Sequence, residues 1–188
     1  MHYLLVADIF GRTKALENIA AELTTITTTS VTTVDIIDPY QAQMLDFNNE
    51  ADAYAYFTTE VGLAAYTEQL LQRLLMQTTP VTLIGFSVGA AAVWQLSSHK
   101  QLTKVVAATC FYGSQIRYHL DIQPAFPLQL IFPAQEPHFS VSELIRQLAG
   151  RANVSIQQVK YLHGFMNRHS DNYDAASCRS FIKELSNE

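Results

Sequence analysis

Charge, sulfur and long apolar runs are all scarce in this chain. Only 15% of its 188 residues are Asp, Glu, Lys or Arg, and they sum to −5, so there is no basic field with which to gather nucleic acid or an anionic membrane. Cys110 and Cys178 are the only cysteines, and neither stands at a metal-binding spacing; they read as buried thiols rather than as a disulfide. No apolar stretch approaches the roughly 20 residues of a membrane span. The opening Met-His-Tyr-Leu-Leu-Val-Ala-Asp run lacks the basic region and cleavage site of a signal peptide. With no metal-ligand cluster and no phosphate-cradling glycine loop, no cofactor is expected. These absences leave a soluble, cytoplasmic protein acting on a small molecule, with neither nucleic acid nor membrane as partner.

What is present is a hydrophobic fraction of 48%, enough to fill one core and to make residues 1–188 a single expected domain. Short β-branched runs alternate with helical patterns from end to end, the signature of βαβ units feeding a parallel sheet. Strands are expected at 2–8, 31–37, 81–85, 103–109, 128–133 and 154–160. Thr13 caps a helix with Leu16, Ile19, Ala20 and Leu23 on one face, and residues 60–76 place Leu63, Tyr66, Leu70 and Leu74 at helical spacing. Ser140-Val141-Ser142-Glu143 is a capping box for a helix that packs Leu144, Ile145 and Leu148 and stops at Gly150. A last helix, about 171–186, aligns Ala175, Cys178, Ile182 and Leu185, so the chain is expected to end on a docked element. The threonine-rich stretch Thr24–Thr33 reads as a helix end, a turn and a strand start. Residues 40–59 mix polar and aromatic groups without a clean period, a long connection of the kind that often carries part of a site.

Chemistry is concentrated at Gly85-Phe86-Ser87-Val88-Gly89, which follows an apolar strand and precedes an alanine-rich helix. This is the strand–turn–helix context of a G-x-S-x-G nucleophile elbow, in which glycines permit a turn tight enough to push the serine hydroxyl outward. The Val88 N–H at the helix start is then free to face an oxyanion. A glycine-flanked serine that merely caps a helix shares the same five letters, so the remaining members of a catalytic set decide. A serine needs a base, and the base needs an acid to orient it. In α/β-hydrolases these follow in the order Ser, acid, His, each after a parallel strand. Here the strand ending at Phe132 runs into Pro133-Ala134-Gln135-Glu136-Pro137, and the strand ending at Lys160 runs into Tyr161-Leu162-His163-Gly164-Phe165. Both loops emerge at the carboxyl edge of the sheet, where ligands bind in open α/β folds. Asp121, Asp171 and Asp174 compete with Glu136 but do not directly follow a strand. His138 and His169 rival His163, which Gly164 allows to turn toward the serine. His2, His99 and His119 lie outside any such loop and read as structural or exposed.

Five ordered segments resemble the dienelactone hydrolase family. Leu4-Leu5-Val6-Ala7-Asp8-Ile9-Phe10-Gly11 is similar to that family's first strand and turn, and Asp35-Ile36-Ile37-Asp38-Pro39-Tyr40 to its next strand. Cys110-Phe111-Tyr112-Gly113 resembles its Tyr-Tyr-Gly, Ile131–Pro137 its acid loop, and His163-Gly164-Phe165 its His-Gly-Phe. The resemblance implies an α/β-hydrolase fold with a central, mostly parallel six-stranded sheet in order 2-1-3-4-5-6 and helices on both faces. The chain begins at what would be the third strand of a full hydrolase sheet, so the expected form is trimmed, without leading antiparallel strands or a lid domain. Ser87, Glu136 and His163 fall on the family's catalytic positions, and the N–H groups of Ile9 and Val88 on its oxyanion hole. Ser87 stands where the founding enzymes have cysteine, and Glu136 where they have aspartate. The arginines that hold the dienelactone carboxylate are unmatched, Arg73 lying in a helix and Asn167 standing four after His163.

The expected activity is cleavage of a small ester or thioester through an acyl-enzyme. A non-enzymatic binding module on the same fold is the alternative from another class, and an acyltransferase shares every residue named. Phe10, Arg12, Phe86, Tyr112 and Phe165 flank the catalytic loops and are the expected substrate-binding residues, although aromatics at strand ends also serve as core filler. Asp8 is read as a salt bridge to Arg12 or a loop hydrogen bond. Arg117 and Arg168 are read as solvated, with a substrate carboxylate as the alternative partner.

Overall fold

A computed structural model describes residues 1–26 and 32–186. Its six strands are β1 (His2–Val6), β2 (Thr33–Ile37), β3 (Val81–Phe86), β4 (Val105–Phe111), β5 (Leu128–Phe132) and β6 (Val154–Gln158). They form one sheet in the order β2-β1-β3-β4-β5-β6, with every neighbouring pair parallel. This is the expected order.

The side-chain period of two divides the core into two layers. Leu4, Val6, Leu83, Leu128 and Leu130 face one way and meet α3 (Gly62–Leu75), α4 (Val88–Leu96) and α5 (Val141–Leu148). Tyr3, Leu5, Ile84, Phe86 and Ile131 face the other way and meet α1 (Lys14–Ile26) and α6 (Ala175–Leu185). Central β3 is buried almost throughout, as a strand covered on both faces must be. Trp94 on α4 is fully buried and donates its indole N–H to the His119 carbonyl at 2.8 Å, so the largest core side chain also satisfies its one polar atom.

Local capping sets the helix boundaries. Thr13 Oγ1 accepts the Leu16 N–H at 3.1 Å, and Ser140 Oγ accepts the Glu143 N–H at 3.2 Å. Only half of the expected capping box forms, because Glu143 turns its carboxylate to Arg146 and Gln147. The last helix starts at Ala175 instead of 171, where Asp174 accepts the Ser177 N–H at 2.7 Å. β4 runs two residues later than expected, to Phe111, which carries Tyr112 and Gly113 onto the rim of the sheet. The helix expected over 60–76 is the last part of a longer helical segment: α2 (Glu50–Tyr56) leads into a π turn at Phe57–Val61, and α3 follows from Gly62. The threonine-rich turn and the expected start of the second strand at Val31 fall on residues 27–31, outside the described residues.

Deleting Trp94 removes a buried side chain together with its hydrogen bond. Trp94→Ala is expected to lower unfolding free energy by about 3–5 kcal/mol, measured by urea denaturation followed by far-UV circular dichroism.

Candidate active site

The turn between β3 and α4 holds Ser87 at φ 51° and ψ −112°, a conformation that costs a non-glycine residue of order 1–3 kcal/mol. Its surroundings enforce it. The Ser87 N–H donates to the Phe111 carbonyl at 3.0 Å and its carbonyl accepts from Ala91 at 3.1 Å, so the turn is tied to β4 and to the first turn of α4. A Cβ at Gly89 would enter the carbonyls of Val6 and Ala7, and one at Gly85 would lie 2.8 Å from the Ala90 Cα. The glycines therefore allow a contact that any side chain would block.

His163 and Glu136 arrive from the loops after β6 and β5. The two loops are joined by a 2.7 Å bond from the Ala134 N–H to the Tyr161 carbonyl. His163 Nε2 lies 3.0 Å from Ser87 Oγ, and His163 Nδ1 lies 2.7 Å from Glu136 Oε1. The glutamate side chain is only 8% exposed, so its bond to the imidazole is largely shielded from water. Gly164 has φ 82°, and Phe165 beyond it is fully buried, which anchors the loop while the imidazole points outward. The Tyr112 ring packs beneath His163 with centroids 5.0 Å apart. None of the other carboxylates and histidines weighed from sequence is hydrogen-bonded to Ser87 or His163 among the described residues, although His138 borders the cleft that opens over this line. Asp174 caps α6, His2 pairs with Asp35, and His119 bonds Gln95.

A cleft of about 1010 Å³ opens over this line and is bordered by Ser87, Glu136, His163 and both residues expected to supply oxyanion N–H groups, Ile9 and Val88. Neither N–H has a hydrogen-bond partner among the described residues. Val88 begins α4, so its N–H also carries the positive end of the helix dipole. Ile9 sits in the turn after β1, where Asp8 Oδ1 accepts the Phe10 N–H at 3.0 Å and Tyr40 donates its hydroxyl to the Ile9 carbonyl at 2.5 Å. Asp8 thus makes the expected loop hydrogen bond, but Arg12 pairs with Glu17 at 3.1 Å instead. Loss of hydration raises the Asp8 carboxyl from its ordinary range to about 6, against the lowering effect of the Phe10 and Asn167 hydrogen bonds.

The expected substrate-binding set requires correction. Phe10, Phe86, Tyr112 and Phe165 are core residues, 5% exposed or less, and Arg12 is spent on Glu17; none borders the cleft. Strand parity turns Phe86 toward α1 and α6, whereas the cleft opens beside α2, α3 and α4. Its walls come instead from Tyr54, Phe57 and Leu63 of the α2–α3 segment, Phe139 of the acid loop, and Leu162. Arg117 also borders it, between the rings of Tyr118 and Phe139 at 4.1 and 4.7 Å. The long connection at 40–59 does contribute to the cleft, through residues 50–58. Sequence reading missed Asn167 and Asn172, which hold the histidine loop: Asn172 Nδ2 donates to the His163 carbonyl at 2.9 Å, and Asn167 Nδ2 to Asp8 Oδ2 at 2.6 Å.

A parallel sheet in this order, with a strained serine after the third strand and an imidazole and carboxylate after the last two, defines an α/β-hydrolase. The family model of the dienelactone hydrolase family matches residues 4–186, and the chain belongs to that family. It is therefore a dienelactone hydrolase-like hydrolase. An uncharacterised protein, YczH of Bacillus subtilis (strain 168), is 35% identical over 159 residues, spanning 81% of this chain and 75% of that one. Among solved structures, a Klebsiella pneumoniae subsp. pneumoniae MGH 78578 protein assigned as a dienelactone hydrolase is similar with a TM-score of 0.74 at 14% identity, over 98% of this chain and 84% of that one. The dienelactone hydrolase of Anabaena variabilis ATCC 29413 is similar with a TM-score of 0.68 at 12% identity, over 99% and 83%.

Because folding raises the Asp8 pKa, the folded state holds this proton more tightly than the unfolded chain does. The stabilisation is complete below the ordinary carboxylate value and is lost as pH rises through 6. A carbon-13 NMR titration of the Asp8 carboxyl is expected to give a midpoint near 6; a midpoint in the ordinary range of about 4 contradicts this environment.

Proposed function

We propose that the protein is a serine hydrolase that cleaves an ester or thioester through Ser87, His163 and Glu136. The observation that carries the reading is the hydrogen-bonded line from Ser87 Oγ to His163 to Glu136, at 3.0 and 2.7 Å. His163 Nε2 takes the hydroxyl proton as Ser87 attacks the carbonyl carbon, and Glu136 orients the ring and stabilises the imidazolium. The Ile9 and Val88 N–H groups receive the oxyanion, the one fixed by its turn and the other by the start of α4. The imidazolium returns its proton to the leaving alcohol or thiol. Water, activated by the same imidazole, then releases the acyl group from Ser87.

The apolar walls around Tyr54, Phe57, Leu63, Phe139 and Leu162 suit an acyl or aryl group, and Arg117 gives the cleft one fixed cation. Its guanidinium donates to the Ser114 carbonyl and the Tyr118 hydroxyl, both at 2.6 Å, and no carboxylate pairs with it among the described residues. An ester bearing an anionic group away from the scissile bond fits this arrangement.

A fluorophosphonate is expected to label Ser87 alone, and Ser87→Ala to lower kcat for p-nitrophenyl acetate by about 10³-fold or more. Labelling of another residue, or full turnover by Ser87→Ala, overturns the reading. Arg117→Met is expected to raise KM about tenfold for an ester carrying a remote carboxylate while leaving a neutral ester within about twofold, as loss of one charge-assisted contact predicts. Equal effects on both esters remove the anion preference.

A further inference from the structure

The turn after β1 and the loop after β6 carry the two halves of the proposed machinery, the Ile9 N–H and the His163 imidazole, and one side chain touches both segments. Asp8 Oδ1 accepts the Phe10 N–H at 3.0 Å, and Asp8 Oδ2 accepts the Asn167 amide at 2.6 Å. The first bond fixes the peptide between Ile9 and Phe10, whose carbonyl is held from the other side by the Tyr40 hydroxyl. That peptide cannot rotate without breaking one of the two bonds, so the direction of the neighbouring Ile9 N–H is set with it. The second bond reaches the histidine loop, where Asn167 donates its own N–H to the Gly164 carbonyl at 2.8 Å and accepts the His169 N–H on Oδ1 at 2.8 Å. Phe10 and His169 stack across the same gap, centroids 5.3 Å apart, so the contact is continuous from one segment to the other.

We infer that Asp8 is a positioning residue: its carboxylate is a strut between the oxyanion turn and the imidazole loop, holding Ile9 and His163 at their mutual distance during acyl transfer. This rests on the serine-hydrolase reading above. Asp8 does not line the cleft, and its hydrogen bonds go to Phe10 and Asn167 and not to Ser87, so its loss is expected to act on the geometry of the transition state more than on substrate binding. The chemistry of the two bonds is directional. A carboxylate accepts from both donors, whereas an amide at position 8 presents one acceptor and one donor and must turn its N–H₂ toward a donor. Exchanging the two residues repairs the mismatch. With Asp8→Asn and Asn167→Asp combined, the amide at position 8 accepts from Phe10 and donates to the carboxylate at position 167, and that carboxylate still accepts the His169 N–H.

The test measures kcat and KM for a neutral ester at about pH 8, above the Asp8 titration, in Asp8→Asn, Asn167→Asp, Asn167→Ala and the Asp8→Asn/Asn167→Asp exchange. Each single change is expected to lower kcat by about 10–100-fold with KM within about twofold, as a displacement on the ångström scale does. The exchange is expected to recover kcat to within a few-fold of wild type, which the bulk of a merely structural contact would not predict. Wild-type kcat in the single variants, or an exchange variant that folds with unchanged Tm yet stays as slow as the worse single, overturns the strut. If Asp8→Asn fails to fold, Asn167→Ala decides alone, with full kcat counting against it. Ser87 labelling by a fluorophosphonate in the same samples separates the two ideas: labelling with unchanged kcat in the variants sinks only the strut, whereas absence of Ser87 labelling in wild type sinks the hydrolase reading and the strut with it.

Discussion

The site depends on how closely the backbone of α4 approaches β1. At Gly89 the helix passes the carbonyls of Val6 and Ala7 with no room for a methyl group, and this contact fixes where the helix starts relative to the sheet. The start of the helix then dictates the turn before it, and Ser87 is left at φ 51° with its hydroxyl on the rim. The strain is small beside the apolar burial of the surrounding layers: almost all of α4 is buried between β3, β4 and α3. Packing of the helix thus holds the serine in a conformation that it would leave if the helix were free.

Everything else at the rim is arranged around that fixed point by tethered loops. The acid and histidine loops are bonded to one another through Ala134 and Tyr161, and the histidine loop is bonded back to the first turn through Asn167 and Asp8. Phe165 sinks its ring among Phe111, Tyr112 and Phe181, so the segment that carries the imidazole is rooted in the core layer opposite the cleft. The aromatic residues beside the catalytic loops are therefore foundations and not walls.

That distinction explains what was legible in the sequence. The strands and the three candidate side chains could be read because β-branched runs, a glycine-framed serine and strand-end loops are local signals, whereas the order of the strands came from the family resemblance. One local signal misled and another was missing. Proximity to a catalytic loop pointed to Phe86 as a cleft residue, although its parity with Ile84 on β3 assigns it to the α1 and α6 face. The connection at 40–59 showed no clean period because few of the apolar positions in its helical part are buried, Ala53 and Phe57 among them, and because the π turn inserts a phase shift before the regular spacing of Tyr66, Leu70 and Leu74. The tethering roles of Asn167 and Asn172 were invisible for another reason: an asparagine bonding to a segment more than a hundred residues away, or to a carbonyl in its own loop, leaves no periodicity to find.

Two carboxylates stand near one imidazole, and their surroundings keep their roles apart. Glu136 reaches the ring nitrogen from the far side of the serine, with a side chain long enough to span from a loop whose tether to Tyr161 lies two residues earlier. The imidazole Nδ1 is bonded to Glu136, whereas Asp8 is shorter and its two oxygens accept from the Phe10 N–H and the Asn167 amide. Its desolvation shows in a pKa raised to about 6, where a carboxylate serving as an ion-pair partner would be lowered. The hydrogen bonds oppose that rise and keep the group usable as an acceptor at neutral pH, which is the state a strut of two accepted bonds requires. In the proposed mechanism the division of labour between acid and strut follows donor geometry: the carboxylate that meets the ring orients it, and the carboxylate that meets only amides fixes the distance between the loops.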